Sequence, residues 1–150
     1  MPRRFELAVL LHRNLADLTK QGTNHAPLQE GKSLNMNFSE AIAVHSQWKT
    51  KLSSYLAHPD HSLNPREVAL SDTCALGQWI AGEGHKYAKL PEFAKLTEEH
   101  ARFHKAAADI IIKADRGQNV SGEVALGAHS EFGDASTGVV KAIMEMERKA

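Results

Sequence analysis

Four side chains in the sequence have the chemistry of metal ligands: three histidines and the single cysteine. His100 and His104 are four residues apart, so on a helix both imidazoles reach the same point in space. His45 lies upstream within another apolar pattern of helical spacing, and Cys74 is the only thiol. Three imidazoles and one thiolate make a tetrahedral set of nitrogen and sulfur donors, which Zn²⁺ prefers. The pattern therefore predicts a zinc site formed by these four residues.

A simpler explanation is that the same residues only pack in the core. A single histidine on an apolar helix face is usually a packed residue with its nitrogens hydrogen-bonded, and a buried free cysteine behaves as a small apolar side chain. An H-x-x-x-H pair alone is a weak signal. The zinc hypothesis depends on the combination, because all four residues fall on sides that are expected to face inward.

The four side chains must be positioned by helices, which the spacing of the apolar residues predicts. Helices are expected at about 37–56, 71–81, 91–115 and 121–148. His45 falls on the first, Cys74 near the start of the short second helix, and the histidine pair on the long third helix. A cysteine at a helix N-terminus is favoured as a thiolate by the helix dipole. Because no segment alternates with a period of two, we predict an all-α fold, a four-helix bundle.

Residues 1–35 are expected to form a separate region. Leucines at helical spacing predict one short helix in it, and a polar segment rich in glycine and proline predicts a linker. Met36 stands immediately before the first bundle helix. We therefore predict a helical extension and linker over residues 1–35, followed by a zinc-binding bundle over residues 36–150.

Three blocks of the sequence resemble the chemoreceptor zinc-binding domain, a bacterial module abbreviated CZB. The signature of that family is a histidine near an aromatic residue, then C-x-L-G-x-W, then H-x-x-x-H. The matching blocks are His45-Ser46-Gln47-Trp48, Cys74-Ala75-Leu76-Gly77-Gln78-Trp79 and His100-Ala101-Arg102-Phe103-His104. The intervals of 29 and 26 residues between His45, Cys74 and His100 suit the family. The resemblance implies His45, Cys74, His100 and His104 as the zinc ligands, the same set that the spacing suggests.

The resemblance also implies a function in signal transduction. Domains of this family are usually attached to methyl-accepting chemoreceptors or to diguanylate cyclases, and neither signalling segment is recognisable here. We therefore expect a regulatory module, not an enzyme, that acts on a partner in trans in a chemotaxis or cyclase pathway. The resemblance further implies that zinc-bound Cys74 senses oxidants such as hypochlorous acid, and it is compatible with a homodimer. Trp48 and Trp79 are expected to pack in the bundle, and they are candidates for covering the metal site.

Composition limits the other classes of function. Eighteen basic side chains balance eighteen acidic ones, which argues against broad attraction to nucleic acid or to an anionic membrane. No apolar run approaches the roughly 18 residues that a membrane span requires. A single cysteine suits a reducing compartment, so we expect a cytoplasmic protein.

Two other metal-binding functions compete with the regulatory one. A zinc-dependent hydrolase needs an open coordination position and a nearby general base. Four protein ligands would close the site, Glu98 and Glu99 should flank the ligand face, and Ala101 stands where an H-E-x-x-H motif needs glutamate. A hemerythrin-like bundle would need inward carboxylates at helical spacing from the histidines, and none is evident.

Overall fold

The computed structural model describes residues 35–125 and 128–150, and in these ranges all regular elements are helical. The predicted all-α class is confirmed. The elements are α1 (Phe38–Ala57), α2 (Pro65–Val68), α3 (Ala75–Ala81), a 3₁₀ turn (Glu83–Tyr87), α4 (Pro91–Asp115), α5 (Ser121–Val124) and α6 (Glu131–Glu147). Residues 36–150 form one compact unit. The extension expected over residues 1–35 lies, apart from Asn35, outside the described residues.

Side chains of the residues before the helices fix where α1 and α6 begin. The Asn37 side chain accepts a hydrogen bond from the Glu40 amide at 3.0 Å, and this satisfies an amide that has no partner within the helix. Before α6, the Ser130 hydroxyl accepts from the Gly133 amide at 3.0 Å and donates to the Glu123 carbonyl. The continuous last helix expected over 121–148 is therefore wrong, because Ser130 begins a new helix there.

The three long helices α1, α4 and α6 pack around the core. Ion pairs join α4 to α6, and to Lys149 just beyond its end, in reverse order along the chain, so these two helices are antiparallel; the pairs are Arg102–Glu131, Lys95–Glu145 and Glu92–Lys149. The core side chains with little or no exposed surface come from all three helices; they include Leu52, Leu96, Phe103, Ile111, Phe132 and Ile143. Among the described residues, no helix has the length and apolar character that crossing a bilayer requires.

Helix α3 packs against this frame as a short element. Leu76 and Trp79 anchor it, with only 1% and 8% of their surfaces exposed. The indole of Trp79 contacts the rings of Phe38 and Phe93, at centroid distances of 5.4 and 6.2 Å. Seven residues make fewer than two helical turns, so tertiary contacts rather than helix propensity hold α3 in place.

Candidate metal centre

The structure brings His45, Cys74, His100 and His104 together between α1, α3 and α4. One donor atom from each residue lies within 4.8 Å of the donors of the other three. All three histidines are buried, and Cys74 is half-buried. Residues separated by up to 59 positions in sequence thus converge on one point, as the zinc hypothesis expects.

Backbone hydrogen bonds fix the orientation of two of the imidazoles. Nδ1 of His45 donates to the Ala41 carbonyl at 2.6 Å, and Nδ1 of His104 donates to the Val68 carbonyl at 2.8 Å. A carbonyl oxygen only accepts, so the proton of each neutral ring lies on Nδ1. The lone pair of each ring is then on Nε2, where it is available to a metal ion. Metal-binding histidines usually have such a partner on the other nitrogen.

Burial keeps the three imidazoles in the neutral form that metal ligands need. Desolvation lowers the pKa of His45 and of His104 below the ordinary value. The pKa of His100 falls to about 3, because of desolvation first and then the positive charges that His104 and His45 would carry. At neutral pH all three rings are therefore uncharged and able to donate a lone pair.

The position of Cys74 places its sulfur over the histidine pair. Cys74 precedes the first turn of α3, and its Sγ accepts a hydrogen bond from the Gly77 amide at 3.4 Å. The short helix expected over about 71–81 begins only at Ala75, because the Cys74 sulfur accepts this amide. Sγ lies 3.2 Å from Nε2 of His100 and 3.7 Å from Nε2 of His104. The thiol is thus directed toward the imidazoles.

The donor spacing agrees with a tetrahedral metal ion. For ordinary zinc bond lengths, a tetrahedral ion separates two nitrogens by about 3.4 Å and a nitrogen from a sulfur by about 3.6 Å. The Nε2 atoms of His100 and His104 are 3.1 Å apart, close to that edge length. Lone pairs that face one another at this distance repel unless a proton or a cation lies between them. The donors of Cys74, His100 and His104 therefore have spacings close to those around Zn²⁺, and all four donors lie within 4.8 Å of one another.

The acidic residues nearest to the ligands in sequence lie elsewhere. Glu98 is exposed. The Glu99 carboxylate lies 3.7 Å from the Arg102 guanidinium and against Gly138 of α6, where an added Cβ would overlap it. As expected from the sequence, neither residue is placed to act as a general base at the cluster.

Trp79 contacts aromatic rings of other helices, whereas Trp48 contacts a lysine of its own helix. Trp79 packs against aromatic rings of α1 and α4, as described above, and the Lys51 ammonium lies 4.4 Å from the centroid of the Trp48 ring. A role for either in covering the metal site stays a prediction.

Three groups that orient the donors were not predicted from the sequence: the carbonyls of Ala41 and Val68 and the amide of Gly77. The carbonyls have no sequence signal, because every residue carries one. Gly77 lies within the C-x-L-G-x-W motif, and its glycine was the available signal.

A helical bundle with a buried cluster of three histidines and a cysteine defines a metal-binding helical module. Residues 45–111 match the family model described as "Chemoreceptor zinc-binding domain", and all four donors fall within the match. Residues 45–111 are therefore similar to a zinc-binding module of signalling proteins, and the resemblance seen in the sequence is confirmed over this range. Comparison with curated proteins and with solved structures gives no match.

Proposed function

We propose that His45, Cys74, His100 and His104 together bind one Zn²⁺ ion. The observation that carries the proposal is the convergence of their donor atoms within 4.8 Å. The hydrogen bonds from Nδ1 of His45 and His104 to backbone carbonyls support it, because they leave Nε2 of both rings free for a metal. Bound zinc would supply a cross-link between α1, α3 and α4.

We propose further that residues 36–150 act as a regulatory module on a signalling partner in trans. The match to a domain of signalling proteins supports a role in signalling, and a chemoreceptor or a diguanylate cyclase pathway is the proposed setting. On this proposal residues 1–35 are an extension to the module. Four protein ligands and the absence of a carboxylate at the described cluster favour regulation over hydrolysis or a hemerythrin-like function. We also propose that the protein forms a homodimer and is located in the cytoplasm.

Cys74 is the proposed redox-sensitive ligand. Its thiolate would attack the chlorine of hypochlorous acid and displace hydroxide, and water would then hydrolyse the sulfenyl chloride to sulfenic acid with release of chloride and a proton. Sulfenic acid is a poorer zinc ligand than thiolate, so oxidation would release the N-terminal end of α3 from the histidines. Half-burial of the thiol leaves it accessible to so small an oxidant. Cys74→Ser should abolish the oxidant response and retain weak metal binding, and an unchanged response would exclude this role for Cys74.

Metal analysis tests the ligand set first. Untagged protein, purified under reducing conditions, should contain about one zinc per chain by elemental mass spectrometry, as a single four-ligand site requires. Cys74→Ala and the double variant His100→Ala/His104→Ala should lose the metal. His85→Ala is the matched control, because His85 is an exposed histidine close to the same segment.

The control separates loss of a ligand from loss of any histidine. Zinc retained in His85→Ala and lost in the other two variants is the expected result. A wild-type protein that takes up no zinc under reducing conditions would mean that the four residues are core packing. Zinc retained in Cys74→Ala would remove the cysteine from the ligand set and, with it, the redox proposal.

A further inference from the structure

Gly77 occupies a position at which no other residue fits without movement of the backbone. A Cβ added there would overlap the carbonyl oxygen of Ser71 and would lie 2.7 Å from its carbonyl carbon. It would also lie 2.9 Å from Cα of Asp72. Because these are backbone atoms rather than the end of a flexible side chain, any side chain at position 77 must displace the turn that leads into Cys74.

The same residue donates the hydrogen bond that the Cys74 sulfur accepts. The Gly77 amide lies 3.4 Å from Sγ, and Sγ lies 3.2 Å from Nε2 of His100. An amide that donates to a thiolate makes a charge-assisted hydrogen bond, which is stronger than one between neutral groups. Gly77 therefore acts on the thiol in two ways, through the turn behind it and through the sulfur itself.

We propose that Gly77 is a positioning residue of the metal centre, which holds the Cys74 thiolate over the histidine pair. This inference rests on the proposed function, because it takes Cys74 as a zinc ligand. The Ser71–Cys74 turn lies close to α3, and this fixes the direction of the Cα–Cβ bond of Cys74. The Gly77 amide then holds the sulfur atom at the end of the Cys74 side chain. Metal affinity and the geometry of the sulfur–metal bond depend on Gly77 although it does not touch the metal.

Two other glycines provide matched controls for steric effects. An added Cβ at Gly84, just beyond α3, would lie 2.7 Å from the Trp79 ring, so Gly84→Ala strains the same segment away from the sulfur. At Gly122 in α5, an added Cβ would meet no atom within 4 Å. A purely structural role for Gly77 predicts that Gly84→Ala impairs metal binding as much as Gly77→Ala does.

Metal titration of the full chain tests the proposal. Zinc affinity is measured by competition with a chromophoric chelator, and Co²⁺ absorption reports the thiolate–metal bond through its charge-transfer band. Gly77→Ala should weaken zinc binding about 10- to 100-fold, as losses of outer-shell partners do at other metal sites. Its cobalt charge-transfer band should weaken or shift, while both control glycine variants keep the wild-type spectrum and affinity.

A second measurement needs no variant and covers the case in which Gly77→Ala does not fold. In wild-type protein loaded with ¹¹³Cd²⁺, NMR should detect a coupling between the metal and the Gly77 amide proton through the N–H···S hydrogen bond. No coupling, together with rapid exchange of that amide, would overturn the proposal. So would wild-type affinity in a folded Gly77→Ala, or equal losses in Gly77→Ala and Gly84→Ala. If instead wild type shows no thiolate–cobalt band at all, the proposed ligand set fails and not only the role of Gly77.

Discussion

Without zinc, α3 should be held in place by its side-chain packing alone. Substitution of Leu76 measures how much that packing contributes. Leu76 is 1% exposed and is one of two large side chains that anchor α3. Leu76→Ala should cost about 2–5 kcal/mol, from lost burial and the cavity left behind. That cost corresponds to a roughly 30- to 5,000-fold rise in the open fraction of the segment, at 1.36 kcal/mol per factor of ten.

Hydrogen exchange with mass spectrometry resolves where this rise occurs. In metal-free protein, Leu76→Ala should accelerate exchange of the α3 amides by up to that factor, while α4 and α6 keep their protection. With zinc bound, opening of α3 also requires release of Cys74, so exchange of the α3 amides should be much slower in both wild type and Leu76→Ala than in the metal-free proteins. The control is Leu96→Ala in α4, a fully buried leucine of the common core. It should weaken protection in all three long helices together. Equal exchange rates of the α3 amides in Leu76→Ala with and without zinc would refute the idea that the metal tethers this helix.

Three further predictions concern the bundle itself. Tyr55 donates to the Asp115 carboxylate at 2.5 Å, so Tyr55→Phe should lower the free energy of unfolding in urea by about 1.5–3 kcal/mol. Burial and then this hydrogen bond raise the pKa of Tyr55 to about 12, above its unfolded value, so the difference should be constant below about pH 9 and shrink as pH rises from 10 toward 12. A stability difference between wild type and Tyr55→Phe that does not change with pH would contradict the raised pKa of Tyr55. Gly122→Ala should stabilise the protein by about 0.5–1 kcal/mol in thermal unfolding, and a loss of stability would show that the site is not open. Glu145→Gln removes a partly exposed pair with Lys95 at 3.4 Å and should change urea stability by less than about 1 kcal/mol.

Elements with strong local signals could be predicted from the sequence. The long helix that begins at Pro91 and ends at Asp115 matches its expected bounds, because proline suits the first helical turn and the apolar stripe is continuous. The break before α6 could not be predicted in the same way. It depends on the Ser130 hydroxyl, which contacts the carbonyl of Glu123 seven residues earlier, and apolar periodicity carries no information about that contact.

The candidate metal centre shows the same contrast between features that a sequence pattern indicates and features that depend on the fold. Residue types and spacing were enough to nominate the four donors, because imidazoles and a thiol on inward faces are rare together. The partners that orient the donors belong mainly to the backbone. His104 is oriented by the carbonyl of Val68, 36 residues away in sequence, and a carbonyl is present at every position. Such second contacts depend on the folded path of the chain, and a side-chain pattern cannot indicate them.

The four donors differ in how firmly the fold holds them. His45 lies on a helix of 20 residues, and His100 and His104 lie on one of 25, all three within the packed core. Cys74 alone precedes a helix of only seven residues, which a 3₁₀ turn follows after Gly82. When a metal ion joins parts of unequal rigidity, the less rigid part moves most when the ion leaves. Val68 of α2 lies just upstream of Cys74, and its carbonyl accepts a hydrogen bond from His104, so α2 also contacts the metal centre. We therefore expect metal occupancy to be transmitted to a partner through residues 65–81. A partner whose binding is unaffected by substitutions on the exposed surface of this segment, yet still depends on zinc, would contradict that expectation.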